Sequence, residues 1–137
     1  MRSAATGPHF DFRFDDSELS GIDAAGGDLV LRFAAAHVER VDLLAPEPRQ
    51  PGYAKQLRIV LGGASWSGPE QDCIGRIAQG SLILDGVHCK TIALPLEHGG
   101  AVRLELDFNN RSRLAVTARS ISIGFSGDPA FAESYAC

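Results

Sequence analysis

The chain is poor in lysine, in tryptophan, in cysteine motifs and in long apolar runs. No stretch of its 137 residues approaches the ~18 consecutive apolar residues of a membrane-spanning helix, so no membrane role of that kind is expected. Lys55 and Lys90 are the only lysines, and the formal net charge is -4. Such a balance weighs against nucleic acid as a partner, because non-specific binding needs a basic surface that displaces counterions. The three cysteines, Cys73, Cys89 and Cys137, are odd in number and widely spaced. Without a CxxC pair there is neither a zinc ribbon nor a thioredoxin-type motif. The opening MRSAATGPHF lacks the apolar core of a secretory signal. A cytoplasmic location with free thiols is the simplest expectation, a mature secreted form being the alternative. Phosphate loops, GxGxxG and HExxH are also missing, so no cofactor is expected.

What is present is enough for one domain spanning residues 1–137. Hydrophobic residues make up 45% and charged residues 22%, too apolar a mixture for a disordered chain. The dominant period is two, the mark of a strand. In His9-Phe10-Asp11-Phe12-Arg13-Phe14-Asp15 the three phenylalanines line one face, and Arg13 sits between two aspartates on the other. Gly26-Gly27 suits a primed two-residue turn. Counting outward from it pairs Ala24 with Leu29 and Ile22 with Leu31. Residues 34–45 carry both a helical seam and a strand pattern, and the β-rich surroundings tip the reading to strand or irregular chain. Residues 46–53, PEPRQPGY, read as a loop, and so do residues 62–72, which hold the only tryptophan. Ser81-Leu82-Ile83-Leu84 runs into Asp85-Gly86, a strong hairpin turn. Here the count pairs Leu84 with Val87, Leu82 with Cys89 and Ile83 with His88.

Towards the end of the chain, Val102, Leu104, Leu106 and Phe108 share a face, and Leu114, Val116 and Ala118 continue it at even numbers. Ile121, Ile123 and Phe125 then place it at odd numbers. A period of two cannot change phase without an inserted residue or a corner, so a bulge or bend is expected near Arg119-Ser120. The tail from Ser126 reads as a loop or one short helix. The resulting fold class is all-β: an antiparallel β-sandwich or open barrel of about eight or nine short strands, with at most one or two short helices.

Few residues suggest chemistry. Gly63-Ala64-Ser65-Trp66-Ser67-Gly68 approaches a nucleophile elbow but has serine where glycine is required. His88 and Cys89 are neighbours in a strand, so they point to opposite faces and cannot share a proton or a metal. His9, His37 and His98 have no partner at ligand spacing, and no metal site is expected. The acids Asp11, Asp15, Asp16 and Glu18 lack the spacing and glycine of a calcium loop. Asp16-Ser17 reads as a strand-end turn. Residues 9–28 nevertheless hold six acids against Arg13 alone, while Arg111, Arg113 and Arg119 are free of acids nearby. The two segments either face each other or lie on separate solvated faces, and the acidic one can also steer a basic partner. Trp66 either plugs the end of the fold or stacks on a sugar or a partner.

Two strings carry a resemblance. Phe14-Asp15-Asp16-Ser17-Glu18-Leu19 leads into Gly27-Asp28-Leu29-Val30-Leu31-Arg32-Phe33, and Leu104-Glu105-Leu106-Asp107-Phe108 is followed by Arg113-Leu114 and Arg119-Ser120-Ile121-Ser122-Ile123. Together they resemble small β-rich bacterial proteins of uncharacterised families, some grouped with toxin-immunity proteins. The resemblance covers about a third of the chain and transfers no functional residue. It implies a cytoplasmic, non-catalytic protein that acts by binding another protein.

The expected function is therefore a non-enzymatic protein-binding domain, acting on a partner or as a homo-oligomer, with Asp11, Asp15 and Asp16 as the steering acids. A carbohydrate or small-molecule binder using Trp66 is the first alternative. An enzyme whose site is assembled from distant residues is the second.

Overall fold

The computed structural model describes residues 9–69, 71–89 and 91–133. Among them are eleven strands and no helix, more strands than the eight or nine expected. They are β1 (His9–Ala25), β2 (Asp28–Val41), β3 (Arg49–Ala54), β4 (Leu57–Gly62), β5 (Ser65–Ser67), β6 (Gly75–Leu84), β7 (Val87–Cys89), β8 (Ile92–Leu94), β9 (Leu96–Phe108), β10 (Arg113–Phe125) and β11 (Ala132–Glu133). Every pairing is antiparallel. The order β2-β4-β10-β9-β6-β1 returns to β2, so six strands close into a barrel. Closure removes the free edges that an open sheet would leave along these strands. β8 and the pair β3-β11 extend the sheet beyond the ring, and β5 and β7 add short flanking pairings.

Both hairpins form in the expected register. Ile22 lies opposite Leu31 and Ala24 opposite Leu29, around Gly26 and Gly27 at φ 59° and 86°. Leu84 lies opposite Val87, and Leu82 opposite Cys89, around Asp85 and Gly86 at φ 49° and 81°. The phase change also falls where the pattern demanded. The ladder of β10 on β9 shifts between Ala118 and Ser120, and Gly100-Ala101 of β9 supply the extra residue. On the near side of the shift β10 buries Leu114 and Val116, and on the far side Ile121 and Ile123.

Two expected loops form strands instead. Arg49–Ala54 is β3, paired with β2. Among the described residues β11 pairs with Gly52 and Tyr53 of this strand, and Pro51 faces Glu39 of β2. Ser65–Ser67 is β5, which pairs with the first half of β10. Residues 34–41 are strand, as the β-rich surroundings suggested. The tail contributes β11, and Cys137 lies outside the described residues.

The barrel interior is filled by Phe12, Leu31, Ile59, Leu82, Leu104 and Leu114 among others, all fully buried. Burial stabilises each such side chain by about 1.5–3 kcal/mol. Phe12 meets Phe14 and Phe33 edge-on at ring-centroid distances of 5.1 and 5.5 Å. Phe10 is less buried and closes the cluster against Phe125 and Phe131.

Candidate functional site

The chemistry gathers on the polar face of the extension made by the start of β1, the end of β2 and β3. β1 cannot run straight through this region. Arg13 pairs with His37 of β2, yet the next rung joins Glu18 to Ala35, so Phe14–Ser17 form a bulge in which Asp15 and Asp16 are exposed while Phe14 and Ser17 stay buried. β1 changes neighbour at the same place, from β8 at Phe10–Phe12 to β6 at Glu18–Leu19. Ser17 is fully buried at the base of the bulge. Its hydroxyl donates to the carbonyl of Arg13 at 2.7 Å and accepts the backbone N–H of His37 at 2.8 Å. Asp16-Ser17 is therefore an interior bulge and not a strand end. Asp16 takes the left-handed φ of 67° that lets the chain turn back, a conformation aspartate tolerates better than most residues.

The bulge brings Asp15 and Asp16 to His37. One ligand atom from each lies within 4.8 Å of the others. His37 Nδ1 is 2.9 Å from the carbonyl oxygen of Asp15, and its ring stacks on Tyr53 with centroids 5.4 Å apart. Sequence spacing missed this histidine, since some twenty residues separate it from the aspartates. The one available hint was the acidic doublet inside a strand pattern.

Asp11 departs from expectation. It was expected to be exposed and to steer a partner, but its side chain is only 12% exposed. It does so because it faces Arg49 at 3.5 Å and His9 at 3.7 Å. Arg49 also binds Glu39 at 2.5 Å. That hydrogen bond and the Glu39 charge, helped by Asp11, hold the Arg49 guanidinium above its ordinary pKa. The acidic N-terminal segment and the late arginines do not neutralise each other through Arg113. Asp23 pairs with Arg32 at 2.7 Å, whereas Arg113 meets Glu105 at 2.9 Å and Asp107 at 3.7 Å on β9. The hydrogen bond from Arg103, reinforced by Arg113, holds Glu105 below the usual carboxylate range despite the opposing effect of burial.

The turn from β2 to β3 carries the most exposed large apolar side chains among the described residues. Leu43 is 76% and Leu44 82% exposed. Their backbone is nevertheless tied down. Asp42 Oδ1 accepts the N–H of Leu44 at 3.1 Å, its carbonyl accepts the N–H of Ala45 at 3.1 Å, and its own N–H reaches the carbonyl of Pro48 at 2.8 Å.

Trp66 stands opposite Val116, which is buried, so the indole shares the inward face and packs against the core. An open cleft of about 300 Å³ nearby is lined by Ser65, Trp66, Ser67, Arg103, Ala115 and Thr117. Cys73 is buried, and Cys89 is half-buried. His88 Nε2 lies 3.4 Å from Ser81 Oγ on the exposed surface, and His98 Nε2 lies 3.0 Å from Asp85 Oδ2. Comparison with family models, with curated proteins and with solved structures finds no match.

Proposed function

We propose that this chain is a non-enzymatic protein-binding domain that docks through the tip of the β2–β3 hairpin. The observation that carries this reading is the adjacent pair Leu43-Leu44, held out in water on a backbone that is hydrogen-bonded at both ends. Two neighbouring leucines at such exposure cost solvation that a free monomer does not recover, and a pre-organised anchor loses little entropy on docking. The surroundings favour a protein over an anionic membrane. Glu39, Asp42 and Glu47 outnumber Arg40 and Arg49, and both arginines face carboxylates. Of the acids expected to steer a basic partner, Asp15 and Asp16 are exposed, and they are secondary to the leucines. The non-catalytic half of the reading draws on how the reactive groups are spread. Cys73 is in the core, and His9, His37, His88 and His98 each face a different neighbour. An immunity-type role is the form this takes under the resemblance to small bacterial proteins.

A photo-crosslinking residue at position 44, in cells that make the protein, tests the docking. One protein adduct is expected at position 44 and none at position 117 on β10. Excess wild-type chain should abolish it, and chain carrying Leu43→Asp with Leu44→Asp should not. Sedimentation of the purified protein distinguishes a second copy from another partner. Equal adducts at both positions, no adduct, or equal competition by the two chains would overturn the reading.

A further inference from the structure

We propose that a cationic cleft at the junction of β3 and β4 binds a phosphoryl dianion, as a small phosphate ester or as free phosphate. The cleft lies at the opposite end of β3 from the hairpin tip, and the inference is independent of docking there.

The cleft begins as a gap in a ladder. β1 covers one edge of β2, and β3 and β4 follow one another along the other edge. The last rung to β3 joins Ala36 to Ala54, and the nearest rung to β4 joins Arg32 to Arg58. Lys55 and Gln56 cross the gap, Gln56 at a left-handed φ of 67°. The crossing is pinned in place. The N–H of Lys55 donates to the carbonyl of Pro129 at 2.6 Å, and the carbonyl of Gln56 accepts the N–H of Ser126 at 2.8 Å and its hydroxyl at 3.3 Å. This leaves an open cleft of about 270 Å³, with Arg32, Lys55, Arg58, Ser20, Gln56 and Ser126 in its wall. Drug-sized ligands occupy about 300–1,000 Å³, so the space suits a phosphoryl group with few attached atoms.

The charge of the cleft selects an anion. Three cations stand in its wall and no carboxylate does, in a chain of net charge -4. Asp23 takes the Nε of Arg32 at 2.7 Å, and among the described residues neither Lys55 nor Arg58 has a carboxylate partner. Two positive charges are left unanswered, and a phosphate monoester carries about -1.5 to -2 at pH 7.

Two features of the ladders point to a ligand independently of the charge count. Arg32 and Arg58 stand directly opposite each other on adjacent strands, a placement in which like charges destabilise a sheet. An oxyanion between two guanidiniums replaces that repulsion with charge-assisted hydrogen bonds. The other feature is Gly21, which faces Arg32 from β1. No left-handed φ calls for glycine there, but a Cβ would strike the Arg32 guanidinium, whose Cζ is 3.0 Å from its place. The missing side chain makes room for the guanidinium to lie across β1, where Asp23 holds it. A group fixed in this way loses little entropy when a ligand arrives.

Backbone amide chemical shifts of the full chain test the site, in titrations with sodium phosphate, with glycerol 3-phosphate and with sodium chloride at matched ionic strength. Both phosphates should move the amides of Arg32, Gln56 and Arg58 to saturation, and chloride should not. Tighter binding of the ester assigns the cleft to a phosphorylated molecule, and equal binding assigns it to free phosphate. Arg58→Gln should weaken binding about tenfold, the loss of a charged hydrogen-bond donor, and should raise the urea midpoint of the free protein by removing the like-charge rung. Gly21→Ala keeps every charge and displaces the Arg32 guanidinium, and should weaken binding at least threefold. Arg103→Gln on β9 should leave the affinity within twofold. Shifts matched by chloride, or an equal loss in Arg103→Gln, would reduce the cleft to general charge screening and overturn the proposal. Wild-type affinity in Arg58→Gln or in Gly21→Ala would overturn it too. So would a lower urea midpoint in Arg58→Gln, since the fold itself would then satisfy that arginine.

Discussion

One hydroxyl holds the acidic bulge in shape. Ser17 is fully buried and satisfies two backbone groups, the carbonyl of Arg13 and the N–H of His37. Ser17→Ala leaves both without that partner in a site closed to solvent. Stability should fall by about 1–3 kcal/mol in urea unfolding, the cost of unsatisfied buried polar groups. A change under about 0.5 kcal/mol, typical of surface positions, would mean that water takes over the hydroxyl's bonds. The residue also shows where sequence reasoning stops. Asp16-Ser17 has the composition of a strand end, because Asp and Ser bond readily to nearby backbone. Only the distant N–H of His37 turns the same chemistry into a bulge inside a continuing strand.

At the level of elements, one turn holds two strands in register. Asp85 opens the β6–β7 turn at a left-handed φ of 49°. Its N–H donates to the carbonyl of Ala101 at 2.8 Å, and its Oδ1 accepts the N–H of Ala101 at 2.9 Å. Ala101 belongs to the extra residue that β9 carries against β10, so the turn pins the bulge that realigns both apolar faces. Asp85→Ala removes that acceptor, loses the contact to His98 and places alanine in a left-handed conformation. It should cost about 2 kcal/mol, combining a lost hydrogen bond with the backbone penalty. Asp85→Asn keeps an oxygen acceptor and tolerates the same φ, and should cost less than about 1 kcal/mol. Amide exchange at Ala101, fast in the first variant and slow in the second, checks the mechanism. Equal losses in both would assign the effect to charge instead.

For the whole molecule, closure decides the cooperativity. A ring of six strands has no edge from which pairs can peel away singly, and each strand buries a row of side chains in one interior. Unfolding followed by Trp66 fluorescence and by far-ultraviolet circular dichroism should give one coincident transition. Trp66 emission in the native state should lie to the blue of free tryptophan, because the indole packs against the core. Separate midpoints would show that β5 or the β3–β11 extension opens independently of the barrel. Among the described residues, seven of the eleven strand pairings join strands that are not consecutive in the chain, so folding in the millisecond-to-second range is expected from topology.

The all-β class, both primed hairpins and the bulge near Arg119-Ser120 were legible in the amino-acid order alone. Each depends on local facts: alternation that sends neighbours to opposite faces, glycines or aspartate where φ is positive, and a phase that cannot change without a break. The tertiary structure alone decided that the sheet closes, that Arg49–Ala54 is a strand, that Asp11 turns inward to Arg49, and that His37 meets Asp15 and Asp16. Those outcomes depend on which strands become neighbours. A periodic pattern is the same whatever lies beside it, so it carries no record of the partner that will stand across the ladder.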